Sequence, residues 1–282
     1  MATKRRIELC WVAVAFIMSR VLLRALTDLH FDLRPIDTSW QIIDPALLRY
    51  YLLRSVFYTP GQPPLYNLVL GGVLKLSHDQ DTLRSLFTLL FSGMSLASTV
   101  ILFDLLRRLR FPVSVCSLAS AAFAMSPAVI LYESLPYYTM MVVLLLVLMA
   151  WLFQRCVERF TFARASGLWW SAAALIYVRS LFQLPWLLVL VVAAAWLVRG
   201  HARGWGKAAL LPLVCVLALY GKNLWISGHF QTSSWLGMSL VKLTVHPLPR
   251  AAREQLIADG RLSPLSARDT TYDPPDAHPA LF

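Results

Sequence analysis

Charge is scarce in this sequence, and negative charge is scarcer. Only 15% of the 282 residues are Asp, Glu, Lys or Arg, and the 15 acids face 26 basic residues. A water-soluble domain carries about 25% charged residues, so the chain does not read as one. Cysteine is almost absent. Cys10, Cys116, Cys156 and Cys215 stand far apart, in or beside apolar runs. No CxxC or Cys/His spacing occurs, which argues against a disulfide framework and against that class of metal site. A Lys/Arg patch interleaved with aromatics is missing too, so nucleic acid is not expected as a partner. Internal repeats and low-complexity tracts are also lacking. A solute transporter would be expected to show repeated halves with broken helices at the midplane.

What remains is apolar: 58% of residues are hydrophobic and the mean hydropathy is +0.60. This is the composition of a multi-pass membrane protein. The net charge of +11 then points first to basic cytoplasmic loops. The start, MATKRRIELCWVAVAFIMSRVLLRAL, has no small-x-small cleavage site, and Arg20 and Arg24 interrupt its apolar run. It reads as an uncleaved first span.

Apolar runs able to span cover 7–26, 85–106, 111–131, 138–154 and 205–221, with a longer region at 166–198. Arg179, Gln183 and Pro185 break that last region. A hairpin with Arg179 at its turn is cheaper than one span holding an arginine in the membrane. Four basic clusters follow the runs: Lys4-Arg5-Arg6; Arg107, Arg108 and Arg110; Arg155, Arg159 and Arg164; Arg199, Arg203 and Lys207. They all fall on one side only if Leu65–Leu76 does not cross. The positive-inside rule favours that arrangement. Length agrees, since 12 residues make roughly 18 Å of helix. Pro63-Pro64 supplies the helix start, with Asn67, Gly71 and Lys75 expected on one face and Leu68, Leu70 and Leu74 opposite.

The expected architecture is all-α and polytopic, with about seven transmembrane helices and the N-terminus inside. Residues 1–221 form the membrane module, with interfacial helices in a long first outer loop, 27–84. Residues 222–282 form an outer segment.

The first loop is rich in acids and aromatics, and long loops of this kind tend to carry function. Its acids are Asp28, Asp32, Asp37 and Asp44. Asp44 before Pro45 is a helix start signal, and a structural one. Thr38-Ser39-Trp40-Gln41 fits a capping box with Thr38 as cap, which places Asp37 just outside the helix with its carboxylate free. Tyr50, Tyr51 and Tyr58 suit the headgroup level, and Arg49 and Arg54 can snorkel.

At these residues the chain resembles the C-type (GT-C) membrane glycosyltransferases, the superfamily of protein O-mannosyltransferases and aminoarabinose transferases. The matching elements are the aspartate in PIDTSWQ, then QPPLYNL from Gln62 through Tyr66 to Leu68, then AFAMSPAVILYES, and the arginine of LIYVRSLFQLPW. Their order covers residues 7–245. The resemblance implies transfer of a sugar from a polyprenyl-phosphate donor to an acceptor at the outer face of the membrane; no cofactor is expected. It implies Asp37 as the base that takes a proton from the acceptor. A leaving lipid phosphate needs fixed cations, and arginine suits it by staying ionised and binding in two places. Arg179 is the first candidate and Arg20 the second, with snorkelling as their ordinary alternative. Gln62, Tyr66 and Glu133 complete the substrate-binding set. Two departures stand out. Pro60-Gly61 occupies the place where relatives often have a histidine before Gln-Pro-Pro. Glu133 is the sole acid where relatives often have an aspartate, and it either replaces that residue or only ends a helix. No metal is expected.

In the outer segment, 249–259 reads as a short helix closed by Gly260. His246 and His278 are lone histidines, read as structural or solvent-facing. Members of the resembled family continue with further spans, so the chain reads as a truncated member. The sequence expectation is thus a glycosyltransferase of a cell-envelope membrane, most simply the bacterial inner membrane. Its partners are the sugar-bearing lipid, membrane lipids and an unknown acceptor. The competing expectation is a non-catalytic membrane protein, either a lipid-carrier flippase or an assembly subunit.

Overall fold

A computed structural model describes residues 2–267 except Asp28, Trp40, Val198 and Ser234. Asp28 and His278, both named above, lie outside the described residues. Among those described, every regular element is a helix. Two compact units divide the chain, 1–232 and 233–282.

The first unit begins with α1, Ala2–Leu26. Four short helices follow: α2 Arg34–Thr38, α3 Pro45–Tyr50, α4 Leu52–Tyr58 and α5 Pro64–Leu74. Then come α6 Gln80–Arg108, α7 Val113–Ala124, α8 Pro127–Glu133, α9 Thr139–Glu158, α10 Phe162–Val178, α11 Leu184–Leu197 and α12 Ala202–Ser227. Their ends follow local chemistry. Asp79 caps α6 by accepting from the Thr82 N–H at 2.8 Å. Thr161 caps α10 at the Arg164 N–H. Gly228, at φ +72°, ends α12 in the left-handed conformation glycine adopts without strain. Ser126 is held extended by the proline that follows it, and α7 and α8 meet there at a 53° bend.

Among the described residues, four helices are long and apolar enough to cross a membrane: α1 from Ile7, α6, α9, and α12 from Arg203. The bent pair α7–α8 makes a fifth if counted as one span. The expected hairpin is present as α10 and α11, but its arms have only 17 and 14 residues. At 1.5 Å per residue they reach roughly 26 and 21 Å, against about 30 Å of hydrocarbon. The expected count of seven is therefore not met by length; what the structure supports is a multi-pass helical protein with four or five full-length spans.

Ion pairs fix the relative directions. Near the start of α1, Glu8 accepts from Arg107 at the end of α6 at 3.1 Å. Near the end of α1, Arg24 donates to Ser92 in the first half of α6 at 2.9 Å. The two helices are thus antiparallel, and the loop joining them starts and finishes at the same end of the bundle. At the other end, Arg108 bonds Glu158 at the foot of α9. Phe160, past that foot, stacks on His201 before α12. The four basic clusters accordingly share one end, here called the basic end.

The loop helices pack against the opposite end. Leu48 of α3 and Leu70 of α5 are fully buried in a cluster with Phe87 of α6, Met140 of α9 and Leu175 of α10. Helix α5 therefore enters only the half of the bundle remote from the basic end. Its inward face differs from the expected one. Asn67 and Gly71 are buried along with Leu70 and Leu74, not set opposite them. The reason is a specific bond: Asn67 Oδ1 accepts the Ile43 N–H at 3.0 Å, and Gly71 lets the α3 backbone approach. A Cβ at Gly71 would sit 3.3 Å from the Leu48 carbonyl. A second cluster around Trp169, Trp205, Ile176 and Leu187 joins α9 to α12.

The second unit contains α13, Trp235–Thr244, and α14, Arg250–Ala258. The latter realises the helix expected at 249–259, with Pro249 as its N-cap and Gly260 at φ +67° just beyond its end. Arg253 is buried and donates to the Ser266 carbonyl at 3.2 Å.

Candidate functional site

The segment bearing Asp37 is anchored at its start. The Asp32 N–H donates to the Ser134 carbonyl at 2.9 Å. The Asp32 carboxylate grips Arg34 through Nε and Nη2, at 2.8–3.0 Å. That guanidinium holds the Asp32 carboxyl below its usual range. Helix α2 then forms with Pro35 in its first turn, where the missing N–H costs nothing.

Asp37 lies inside this five-residue helix, not just before a longer one. The capping box expected at Thr38 does not form, because the Thr38 hydroxyl donates back to the Arg34 carbonyl at 3.1 Å. The helix stops at Thr38, with Ser39 already extended. Ile36 turns inward and is buried, while Asp37 is exposed. Among the described residues the Asp37 carboxylate has no hydrogen-bond or ionic partner. Asp44, by contrast, is the expected cap: its Oδ1 accepts from Ala46 and Leu47 N–H at 2.8 and 3.2 Å.

Three further candidates lie around one tyrosine. Tyr66 is buried on α5, and its hydroxyl donates to the Pro136 carbonyl. Its ring meets Tyr138 edge-on, with centroids 5.8 Å apart. The Arg179 guanidinium sits 5.1 Å from the same Tyr138 ring. Arg179 has extended backbone at the end of α10 and is half-buried, with no acid partner among the described residues. Val178 beside it shares the buried cluster that holds Ile36, the neighbour of Asp37. Gln62 is half-buried in the turn before α5, with no side-chain hydrogen bond to a described residue.

The turn after Arg179 is braced from α12. Tyr220 donates its hydroxyl to Gln183 Oε1 at 2.6 Å and accepts the Leu184 N–H at 2.9 Å. Gln183 Nε2 donates to the Thr232 hydroxyl at 2.9 Å. Asn223 in turn holds the Gln231 and Thr232 carbonyls at 2.7 and 3.0 Å. Gln183, one of the three residues that break the apolar run, is thus fixed in place by a polar network.

Arg20 and Glu133 come together elsewhere. The Arg20 Nε lies 2.9 and 3.1 Å from the two Glu133 oxygens, and its Nη2 is 2.9 Å from Oε2. Nη2 also donates to the Ala124 carbonyl at 2.7 Å, and the Phe16 ring lies 4.4 Å from the guanidinium carbon. Ser92 donates to Glu133 Oε1 at 2.7 Å. Both side chains are about 5% exposed, at 6% and 4%. Each therefore has its partner within the chain, and the pair ties α1 to α8 across the bend.

Sequence reasoning missed Tyr138, which links Tyr66 to Arg179, and Asn67, which holds the segment between α2 and α3. The signal for Tyr138 was the Pro136-Tyr137-Tyr138 step at the head of the fourth apolar run. Nothing local marked Asn67, whose partners lie 24 and 26 residues away. Among the described residues no group of three or more His, Cys, Asp and Glu side chains comes together. Comparison with family models, with curated protein sequences and with solved structures finds no match to this chain.

Proposed function

We propose that the chain is a membrane glycosyltransferase that moves a sugar from a polyprenyl-phosphate carrier to an acceptor hydroxyl or amine. In this reading α10 and α11 complete seven passages and the basic end faces the cytoplasm, by the positive-inside rule. The loop helices then lie at the outer face, as in the inner membrane of a bacterium. Asp37 takes the acceptor proton as the acceptor attacks the anomeric carbon. The bond from that carbon to the phosphate oxygen breaks, and the lipid phosphate leaves with its electron pair. Arg179 receives the developing negative charge. Tyr66 and Gln62 line the approach, while Arg20 and Glu133 hold the frame.

The observation that carries the reading is that two charged groups without an ionic partner among the described residues lie at one end of the bundle. An exposed carboxylate and a guanidinium without an acid partner flank Ile36 and Val178 of a single buried cluster. Asp37→Asn is expected to lower transfer by about 10²–10⁴-fold with unchanged membrane insertion. Full transfer by a pure mutant protein refutes it. Lipid-phosphate binding that depends on Arg179, in a wild type without transferase activity, marks the non-catalytic carrier instead. Cysteine labelling at 37, 79, 109 and 160 tests the topology. Positions 37 and 79 should react from one side, and 109 and 160 from the other.

A further inference from the structure

At the basic end, Arg155 is half-buried and its guanidinium makes no ion pair with a described residue. Two acids lie between α6 and α9, and both are taken. Asp104 Oδ2 accepts from Arg108 Nε at 2.8 Å and from the Trp151 indole N–H at 2.7 Å. Glu158 accepts from Arg108 Nη1. Arg155 stands over the face of the same Trp151, 4.5 Å from its centroid, while Arg108 is 5.8 Å away. None of the Arg155 guanidinium nitrogens donates to a described residue, and its Nε is buried without a partner. Arg164 adds another positive charge close by. Its Nη1 donates to the Arg155 and Arg159 carbonyls at 3.0 and 2.7 Å, so it answers backbone oxygens and no carboxylate.

Three guanidinium groups thus crowd two carboxylates, at the end of two helices where the apolar surface gives way to loops. A half-buried arginine in this position is unfavourable unless an anion reaches it. Water supplies hydrogen bonds but no charge. A phosphate diester at the bilayer surface supplies both, and its acyl chains can lie along the apolar faces beside it.

We infer that Arg155, Arg164 and the Trp151 face form a binding site for the headgroup of an anionic phospholipid, at the end of the bundle opposite Asp37. The site takes the phosphate at the Arg155 fork. It does not depend on the transferase reading, since it rests on the basic end alone.

Native mass spectrometry of the full chain in neutral detergent tests this, with phosphatidylglycerol titrated against phosphatidylcholine of the same acyl chains and against inorganic phosphate. One tight phosphatidylglycerol adduct is expected. Arg155→Gln should weaken it by about fivefold, the effect of losing one basic contact near an anionic surface. Arg155→Lys should fall between the two, because it keeps the charge and loses the fork. Arg203→Gln, an exposed change at the same end, removes equal charge and should shift affinity by less than about twofold. Equal binding of phosphatidylcholine overturns the proposal. So does saturation by inorganic phosphate at matching concentration, which marks a soluble-anion site. Equal losses in Arg155→Gln and Arg203→Gln overturn it as well, since they mark diffuse attraction. Circular dichroism of each variant separates lost binding from lost folding.

Discussion

Removing one partner of the Arg20–Glu133 pair should destabilise the chain far more than removing both. In Glu133→Leu the Arg20 guanidinium stays buried without a carboxylate and keeps the Ala124 carbonyl, 2.7 Å away, the weak Ser19 contact at 3.4 Å and the Phe16 ring at 4.4 Å. With 6% exposure it cannot turn to water without separating α1 from α8. Stranding one charge of a buried pair costs about 3–5 kcal/mol, or roughly 10²–10⁴ in the unfolding equilibrium. The double change Arg20→Met with Glu133→Leu removes both charges and keeps comparable volume. It should cost only about 1–2 kcal/mol, chiefly because the Ala124 carbonyl loses a donor. Arg24 offers a contrast, since its single contact is an exposed one to Ser92. Arg24→Gln should cost under about 1 kcal/mol. Reversible unfolding in mixed micelles measures the wild type, Glu133→Leu, Arg20→Met, the double variant and Arg24→Gln. A Glu133→Leu cost below about 1 kcal/mol, or a double variant as unstable as the sum of the singles, refutes the burial argument.

Two further tests concern the loop helices. The Thr82 N–H and hydroxyl hold the Asp79 carboxyl below its usual range. Its folded value therefore lies below its unfolded one, so the cap contributes fully above about pH 4 and is lost as pH falls through the folded value. Asp79→Asn should show a smaller drop in unfolding midpoint between about pH 6 and pH 3, and identical acid sensitivity in the two proteins refutes this. A Cβ at Gly71 would lie 2.3 Å from the Leu52 terminal methyl, which can rotate away. Gly71→Ala should be near neutral, the helix gain of about 0.5–1 kcal/mol offsetting that shift. Gly71→Val adds two methyls to a Cβ already 3.3 Å from the Leu48 carbonyl oxygen and should cost about 1–3 kcal/mol. A Val variant as stable as the wild type refutes the close approach.

Features set by neighbours in the chain were legible beforehand. The Asp44-Pro45 start, the break at Arg179 and the short proline-led α5 all follow from chemistry within a few residues. Charge counting then placed the basic clusters at one end, because it sums over the whole chain. Features that depend on distant partners were not legible. Arg20 and Glu133 are separated by 113 residues, and each alone looked like a candidate ligand. The helical pattern set Asn67 opposite Leu70 and Leu74, and the Ile43 N–H is the distant partner that buries it beside them. The capping box failed for a subtler reason. Two local hydrogen bonds competed for the Thr38 hydroxyl, and the one inside α2 won once Pro35 had started a helix upstream. Of the seven spans expected, four or five are full length among the described residues, because hydropathy runs ignore where a helix actually stops, at Ser126 and on both sides of the 179–183 turn.

The long separation within the Arg20–Glu133 pair also has a temporal side. During synthesis the first helix leaves the ribosome well before its counter-charge exists. At about 5–20 residues per second, the 113 residues between them take roughly 6–23 s to make. For that interval Arg20 lacks the carboxylate it later pairs with, and an arginine within a transmembrane segment is costly without a partner. The nascent first segment is therefore expected to linger beside the insertion machinery, settling into lipid only when α8 arrives.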